Sequence, residues 1–458
     1  MSDTAGAEAS FHFASALLPS GWTPDVRVTV RDGLVHAVAA GEPAEPSDER
    51  HAIALPGVPN LHSHAFQRGM AGLAELRGPG RDSFWTWRET MYRFVDRITP
   101  QQLQAIAALA YLEMLESGFT RVGEFHYLHH DADGGTFANP AEMSEAIAAA
   151  AEETGIALTL LPVFYAHGGF GGAEPEHHQR RFINDPDGFS RLLGAARTAA
   201  ARLPDAVVGV APHSLRAVTP DELRLLEHEV GSAPIHIHVA EQTREVEDCL
   251  TWSGARPVEW LLGAVPVDER WCLVHATHVT DVELASITRS GAVVGLCPIT
   301  EANLGDGIFP AASYLEQQGR FGIGSDSNVL IDMTEELRLL EYGQRLSLRA
   351  RCLLASGPSR STGHDLFEAA VRGGAQALGA SAGIAVGNPA DFLSLSADHP
   401  GLVGRSGGVI LDSLIFAGGR AMIDCVWRRG KKVVNGGRHA ERERIETRYR
   451  SVLGSLLE

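Results

Sequence analysis

The chain reads Leu55-Pro56-Gly57-Val58-Pro59-Asn60-Leu61-His62-Ser63-His64, an apolar run that ends in two histidines. A short apolar run bounded by turn residues predicts a buried β-strand. Side chains two residues apart in a strand point to the same face, so we expect His62 and His64 to project together from the strand end. Two imidazoles on one face supply half of a metal site, and the other half must come from the ends of other strands.

Short apolar runs alternate with longer helical patterns from residue 55 to residue 327, which is typical of repeated βα units around a parallel sheet. We find eight such runs, at residues 54–62, 120–126, 156–164, 206–212, 234–239, 271–276, 292–297 and 321–326. Helical patterns lie between them, for example from Pro100 to Gly118, from Pro140 to Gly155 and from Pro220 onward. Eight strands with intervening helices predict an α/β fold of the (β/α)₈ TIM-barrel type, followed by two further helices at residues 332–356 and 365–379.

The segments on either side of the barrel are rich in strand-forming residues. They include residues 26–30 before the barrel and residues 391–395, 409–416 and 421–427 after it. We therefore predict that residues 1–54 and 385–458 form one small β-sandwich domain, and that residues 55–384 form the barrel. Two connections, residues 65–98 and 166–187, are long for a barrel. Because long βα loops cover the catalytic face, we expect them to act as lids or subunit contacts.

Composition excludes several classes of partner. The chain has 458 residues, of which 44% are hydrophobic, so it can bury a large core. Its net charge of −18 argues against a nucleic-acid or anionic-membrane partner, since both favour a basic surface. No basic segment followed by an apolar stretch opens the chain, and no run of about 18 apolar residues occurs, so we expect a cytoplasmic protein. The cysteines lack CxxC spacing, which predicts reduced thiols; they are Cys249, Cys272, Cys297, Cys352 and Cys425.

Candidate metal ligands and catalytic groups follow several of the predicted strands. In a (β/α)₈ barrel the functional side chains lie at the C-terminal ends of the strands, where residues distant in sequence converge. His62 and His64 close the first strand, His238 closes the fifth, His275 the sixth and Asp326 the eighth. Three imidazoles and one carboxylate, from His62, His64, His238 and Asp326, suit a single Zn²⁺, with Fe²⁺ and Mn²⁺ left open.

His236 competes with His238, because it lies two residues earlier and faces the same side of the strand. We assign His238 to the metal because it precedes Glu241 by three residues. That spacing places the Glu241 carboxylate just beyond the strand end, within reach of a water on the metal. His236 is then predicted to be a core histidine.

These elements resemble the amidohydrolase superfamily, and within it the cytosine-deaminase-like branch, which pairs HxH with HxxE, a later His and an Asp. Longer segments are similar to the family of formimidoylglutamate deiminases, namely residues 60–68, 212–218, 297–307 and 336–345. The likeness covers nearly the whole chain. It implies zinc-dependent hydrolysis of N-formimino-L-glutamate to N-formyl-L-glutamate and ammonia, in histidine degradation, by a homodimer with one zinc per subunit.

The positions of the lysines indicate how many metal ions the site can hold. Superfamily sites of this type can hold two metals when a carbamylated lysine from the fourth strand bridges them. Lysine occurs only at Lys431 and Lys432, outside the barrel, and His213 stands at the end of the fourth strand. We therefore predict a single metal.

Three of these side chains are predicted to act in catalysis. A divalent metal lowers the pKa of a bound water toward neutrality. Asp326 is placed to accept the proton of that water, and His275 to stabilise charge on the attacking oxygen. Glu241 would carry a proton to the departing nitrogen. Glu241 also fits a purely structural place, since an acid near the start of the helix predicted from Thr243 is favoured in any case.

A dicarboxylate substrate needs cations in a protein that is acidic as a whole. Arg216, four residues after the fourth strand, is the leading candidate, since a charge-assisted contact to a carboxylate contributes about 1.5–3 kcal/mol. Arg88, in the first long connection, is the second, and could serve its own site or that of a neighbouring subunit. The family resemblance implies three further substrate contacts, Gln67, Tyr127 and His213.

Two other functions remain open from the sequence. A nucleobase or triazine deaminase of the same branch would keep the metal site but would need amide and aromatic groups for a neutral ring, whereas Arg216 beside His213 fits a diacid better. A barrel that has lost catalysis and serves as a scaffold usually lacks metal ligands, and none is missing here.

Overall fold

The computed structural model describes residues 8–77, 83–355 and 360–458. Its strands are β1 (Glu8–Leu18), β2 (Gly21–Arg31), β3 (Leu34–Ala40), β4 (Glu49–Pro56), β5 (Val58–Ser63), β6 (Phe119–His126), β7 (Ala157–Phe164), β8 (Val207–Val208), β9 (Ala211–Pro212), β10 (Ile235–Val239), β11 (Trp271–His275), β12 (Val293–Leu296), β13 (Arg320–Ile323), β14 (Phe392–Leu395), β15 (Ile423–Arg428), β16 (Lys431–Asn435) and β17 (Arg438–His439).

Its α-helices are α1 (Phe84–Val95), α2 (Pro100–Glu116), α3 (Glu142–Thr154), α4 (Pro186–Ala200), α5 (Pro220–Val230), α6 (Thr243–Ser253), α7 (Pro257–Ala264), α8 (Asp281–Ser290), α9 (Pro298–Leu304), α10 (Ala311–Glu316), α11 (Met333–Leu348), α12 (Thr362–Ala377), α13 (Gly408–Ser413) and α14 (Arg442–Leu457). Within the described ranges, no helix is long and apolar enough to cross a membrane.

The strands predicted for the barrel form two parallel sheets. One contains β5, β6, β7 and β8, with β9 also paired to β7, and the other contains β10 to β13 in order. At one seam Ser63 forms a parallel bridge with Asp326, and at the other Ser214 forms one with His238. Parallel strands separated by helices are the arrangement expected of a TIM-barrel-type fold. This arrangement brings the C-terminal strand ends to one edge.

Two of the predicted barrel strands are divided, whereas the others agree with the prediction to within three residues. The run 54–62 contains the end of β4 and all of β5, with Gly57 between them. A Cβ at Gly57 would overlap the side chain of Thr120, so only glycine fits where the chain enters the barrel. The run 206–212 is split into β8 and β9, and a Cβ at Gly209 would overlap the carbonyl of Pro234.

Strands from both ends of the chain pair in one sheet, as predicted. The order among the described strands is β17-β16-β15-β14-β4-β1-β2-β3, and the antiparallel pairing of β14 with β4 joins the two flanks. The strands form one continuous sheet, whose edge strand β3 bridges back to Pro389 just before β14, and the predicted boundary at residue 55 falls inside β4. Aromatic rings supply its core: Phe11 lies 5.1 Å from Phe392 and 5.7 Å from Trp427, measured between ring centroids.

Residues 409–416, predicted to be strand-rich, are helical. They form most of α13 and the π-helical turn that follows it. The buried apolar residues are Ile410, Leu411, Leu414 and Ile415, and this spacing places them on one helical face. A short apolar run does not distinguish a buried strand from a buried helix, and here contact with α12 selects the helix.

The two helices predicted after the eighth strand are confirmed as α11 and α12. Helix α11 ends at Leu348, before the predicted end at residue 356, and residue 356 itself lies outside the described residues. The first long connection contains α1 and the second a short 3₁₀ turn at His177–Gln179.

Candidate metal-dependent active site

The four predicted metal ligands converge at the edge where the parallel strands end. The Nε2 atoms of His62 and His64 lie 3.4 and 3.3 Å from Oδ1 of Asp326. The Nε2 atoms of His62 and His238 are 3.0 Å apart. The ligand atoms of all four residues lie within 4.8 Å of one another, and all four side chains are buried. The fold therefore brings together residues that are up to 264 positions apart in the chain.

Backbone carbonyls determine which imidazole nitrogen faces this centre. Nδ1 of His64 lies 2.9 Å from the Phe125 carbonyl, and Nδ1 of His238 lies 3.1 Å from the His213 carbonyl. A carbonyl accepts only, so each Nδ1 donates and each Nε2 keeps its lone pair. Two lone pairs and a carboxylate oxygen aimed at one point repel each other unless a cation lies between them. The donor set therefore fits a divalent metal ion.

The protonation states are also those that a metal site requires. Burial lowers the pKa of His62 to about 3 and holds the pKa values of His64 and His238 below their ordinary value. These rings are neutral at pH 7, which is the form that binds a metal. Burial by itself would raise the pKa of Asp326, but the hydrogen bond with His62 and the positive charge of His275 hold it below its ordinary value. Asp326 is therefore a carboxylate.

His275 and Glu241 form an acid–base pair beside the ligands. Nε2 of His275 lies 3.8 Å from Oε1 of Glu241 and 3.7 Å from Oδ2 of Asp326. Burial opposes a charge on His275, but Glu241, Glu301 and Asp326 outweigh it and raise the pKa of His275 to about 10. Burial raises the pKa of Glu241 to about 7, against the opposing charges of His275 and Arg216. Glu241 can therefore gain or lose a proton near neutral pH.

The backbone is strained at three of these strand ends. Ala240, His275 and Asp326 have φ angles of 52°, 68° and 44°, in the left-handed region that favours glycine. Each such residue costs on the order of 1–3 kcal/mol, and such conformations persist only where surrounding contacts enforce them. The strand ends are therefore held in place by the rest of the site.

Several residues that hold the site were missed by the sequence analysis. Asn328 Nδ2 donates to the carbonyls of His64 and Asp326, at 3.1 and 3.0 Å, and so links the first strand end to the eighth. Nδ1 of His275 lies 3.2 Å from Oε1 of Glu301, which orients the ring. Glu301 lies within the family-like segment 297–307, and Asn328 lies two residues after Asp326. Their roles nevertheless depend on contacts between segments that are distant in sequence.

The predicted substrate contacts line one cavity that adjoins the metal ligands. Its volume is about 700 Å³, including space open to solvent. The predicted contacts along its wall are Gln67, Arg88, Tyr127, His213 and Arg216, together with the catalytic candidates Glu241, His275 and Asp326. Helix α1 of the first long connection and Gly168 of the second also contribute to the wall. Their action as lids or subunit contacts stays a prediction.

Positive charge is concentrated on one side of this cavity. The Arg216 side chain is 13% exposed, and its Nε has no hydrogen-bond partner among the described residues. The Arg88 guanidinium carbon lies 4.7 Å from the centroid of the Trp85 ring, and that of Arg216 lies 5.9 Å from it. A buried guanidinium with a free donor favours an anionic ligand.

Polar groups complete the wall. Gln67 Nε2 donates to the hydroxyl of Tyr127 at 3.0 Å, which leaves the Tyr127 hydroxyl hydrogen available to a ligand. Burial, followed by the charge of Arg216, lowers the pKa of His213, so its ring is neutral. His236 lies apart from these groups, with Nε2 2.7 Å from the Ala377 carbonyl, which confirms its assignment to the core.

Sequence comparison identifies the class of protein that carries this site. Residues 53–433 match the model of the Amidohydrolase family, and residues 10–52 match that of the N-terminal domain of formimidoylglutamate deiminase HutF. The formimidoylglutamate deiminase of Pseudomonas aeruginosa is 50% identical over 446 residues, which cover 97% of this chain and 98% of that protein. The chain therefore belongs to the amidohydrolase family and, within it, to the formimidoylglutamate deiminases.

More distant and structural relatives agree with this placement. The 8-oxoguanine deaminase of P. aeruginosa is 27% identical over 433 residues, 90% of this chain and 88% of that protein. The crystal structure of an amidohydrolase from Brucella melitensis is 54% identical, with a TM-score of 0.95 over 98% of this chain and 100% of that one. An adenosine deaminase from Xanthomonas campestris, solved with bound zinc, has 22% identity and a TM-score of 0.79 over 98% of each chain, and shares the fold.

Proposed function

We propose that this chain hydrolyses N-formimino-L-glutamate to N-formyl-L-glutamate and ammonia, a reaction of histidine degradation. Its relation to a formimidoylglutamate deiminase over nearly the full length of both chains supports this activity. The structural observation that carries it is the buried guanidinium of Arg216, with a free donor, in the same cavity as the metal ligands. The glutamate moiety of the substrate would bring carboxylates to that side of the cavity.

A nucleobase deaminase is the competing function, and the cavity argues against it. A neutral ring would leave the buried Nε donor of Arg216 without an acceptor, because Glu245, 3.9 Å from Nη2, balances the charge but does not reach Nε. Leaving a buried charged donor unsatisfied costs more than the roughly 1–3 kcal/mol of a neutral donor. The relatives that act on purines are also much more distant from this chain.

We further propose zinc as the metal, held by His62, His64, His238 and Asp326. When bound, it would supply Lewis acidity, which lowers the pKa of water at the site. Asp326 is placed to take a proton from that water, since its Oδ2 faces His275 while its Oδ1 faces the ligands. The carboxylates around His275 favour its protonated form, which stabilises negative charge on the attacking oxygen.

Glu241 would deliver the proton that the reaction needs at its last step. Ammonia leaves the tetrahedral carbon only after its nitrogen is protonated, and a group with a pKa of about 7 can supply that proton at neutral pH. Arg216 and Arg88 would bind the substrate carboxylates, with Gln67, Tyr127 and His213 as further polar contacts. Arg88 lines the cavity of its own chain, which favours action within one subunit.

The closed form of the barrel, the homodimer and the cytoplasmic location are also part of the proposal. The bridges at both seams support one closed (β/α)₈ barrel with the small sheet attached. The homodimer is supported by the family resemblance, and light scattering after size-exclusion chromatography tests it. A monomeric mass would contradict the dimer without affecting the proposed reaction.

The proposed reaction is tested by ammonia release from the purified protein on separate substrates. We expect turnover of N-formimino-L-glutamate and little release from guanine, cytosine or adenosine. Activity confined to a purine or pyrimidine would contradict the proposal. Absence of stoichiometric metal after purification without chelators would instead favour a non-catalytic scaffold.

A further inference from the structure

Glu245 is a fully buried carboxylate, and neither the proposed mechanism nor the relatives give it a role. It lies in the first turn of α6, with a side-chain exposure of 0%. Its Oε1 accepts a hydrogen bond from the backbone N–H of Ala240 at 3.0 Å, and its Oε2 accepts one from that of Glu241 at 3.2 Å. The same carboxylate therefore holds two consecutive residues that follow β10.

These hydrogen bonds hold the turn that places Glu241. Ala240 has a φ of 52°, a left-handed conformation that an alanine adopts only when its surroundings enforce it. The Ala240 carbonyl also accepts from the backbone N–H of His278 at 3.0 Å. Without the carboxylate of Glu245, the N–H groups of Ala240 and Glu241 would be buried without an acceptor. The position of the Glu241 side chain thus depends on Glu245.

The Oε2 atom of the same carboxylate also faces the proposed substrate-binding arginine. Nη2 of Arg216 lies 3.9 Å from Oε2 of Glu245, which is an ion pair without a short hydrogen bond. Burial opposes the charge on Arg216, but Glu245 and then Glu241 outweigh it and raise the pKa of Arg216 above its ordinary value. The carboxylate of Glu245 thus balances the buried charge of Arg216. Because the two groups are 3.9 Å apart, guanidinium donors remain available to a ligand.

We propose that Glu245 is a positioning residue that couples the two halves of the reaction, by fixing the backbone that carries Glu241 and by orienting Arg216 toward the substrate carboxylate. The inference rests on the proposed function, because it assigns Glu241 and Arg216 to turnover of N-formimino-L-glutamate. An acid in the first turn of a helix also stabilises the helix. A purely helix-stabilising role would leave KM and kcat of the folded protein unchanged, and this difference defines the test.

The test compares Glu245→Gln with the matched control Glu247→Gln, an exposed residue on the same helix. The glutamine keeps the volume but loses the charge that faces Arg216, and it replaces one acceptor with a donor. We expect Glu245→Gln to raise KM and to lower kcat, each by about 10-fold, as loss of hydrogen bonds to charged groups does. Zinc content should match that of the control. A kcat/KM within threefold of Glu247→Gln would overturn the proposal.

Two further variants keep the test decisive. Glu245→Asp retains the charge but shortens the reach, so we expect a smaller rise in KM than for Glu245→Gln. If Glu245→Gln does not fold, the aspartate variant decides, and wild-type kinetics in that variant would overturn the proposal. In a double-mutant cycle, Glu245→Gln should raise KM less in an Arg216→Met background than in the wild type. Equal increases would show that Glu245 does not act through Arg216.

Failure of this inference is distinguishable from failure of the proposed function. If the wild-type protein does not hydrolyse N-formimino-L-glutamate, the proposed function fails. If the wild-type protein is active and the Glu245 variants match the control, only the inference about Glu245 fails.

Discussion

The metal half and the substrate half of the cavity are built in different ways. The metal ligands stand at or just after strand ends, and backbone carbonyls and Asn328 fix their orientation. The substrate half takes Arg88 from α1 and Arg216 from the segment after β9, and these side chains are held by looser ring contacts and a 3.9 Å ion pair. We therefore expect the rigid strand ends to support the chemistry and the connections to determine which molecule is bound.

This difference agrees with the range of the relatives. An adenosine deaminase at 22% identity keeps the fold with a TM-score of 0.79, whereas the formimidoylglutamate deiminase shares half of its residues with this chain. Variants in the two halves should therefore fail differently. Those in the metal half should lose metal and all turnover, and those in the substrate half should keep metal and lose affinity.

The largest effect is expected for Asp326→Ala in the metal half. The variant removes both a ligand and the group placed to accept a proton, so kcat/KM should fall on the order of 1000-fold or more. Metal content by mass spectrometry should fall with it. Full metal occupancy with normal turnover would exclude Asp326 from the site.

Arg216→Met should lower kcat/KM strongly while leaving the metal bound. Loss of a charge-assisted contact of about 1.5–3 kcal/mol corresponds to roughly 10- to 150-fold in kcat/KM, most of it in KM. Steady-state kinetics and metal analysis on the same sample measure both quantities. Arg224→Met, at an exposed arginine of α5, is the control. A near-normal kcat/KM would remove Arg216 from the substrate site.

Arg88→Met should have a smaller effect of the same kind. Arg88 is only half-buried, so its contact to a carboxylate is weaker, and we expect KM to rise about 3- to 10-fold with kcat nearly unchanged. The comparison with Arg216→Met ranks the two cations. A larger effect for Arg88 than for Arg216 would reverse that order.

His236→Leu should have the smallest effect on activity. His236 donates to the Ala377 carbonyl inside the barrel, and loss of that bond should lower the free energy of unfolding by about 1–3 kcal/mol. Thermal unfolding measures this loss, while zinc content and kcat/KM should stay within about threefold of wild type. If His236→Leu lost the metal and His238→Leu retained it, His236 would be the metal ligand and His238 the core histidine.

Sequence patterns identified four candidate metal ligands that the structure brings together, but they missed the positioning residues around them. Strand ends are recognisable from apolar runs, so His62, His64, His238 and Asp326 could be chosen from their place after those runs. Glu301 and Asn328 could not, because their contacts join neighbouring strand ends that only the folded chain brings near. The predicted substrate contacts Gln67, Tyr127 and His213 came from family resemblance alone.

The fold, like the site, was predicted in part, because apolar runs reveal strands but not the long-range contacts between them. Alternation of apolar runs with capped helices identified the parallel strands. The prediction of a strand at residues 409–416 was wrong because an apolar run suits either a strand or a buried helix. The continuity of the sheet formed by the two flanks was also not predicted. Long-range contacts, such as that between Leu393 and Leu55, determine which strands from the two ends of the chain pair with each other.

The most direct test of the account is an anomalous diffraction map of the protein crystallised with zinc. We predict one strong peak per chain, about 2.0–2.2 Å from Nε2 of His62, His64 and His238 and from a carboxylate oxygen of Asp326. An empty site there, or a peak only at the separate group of His51, Asp424 and Cys425 on the small sheet, would contradict the account.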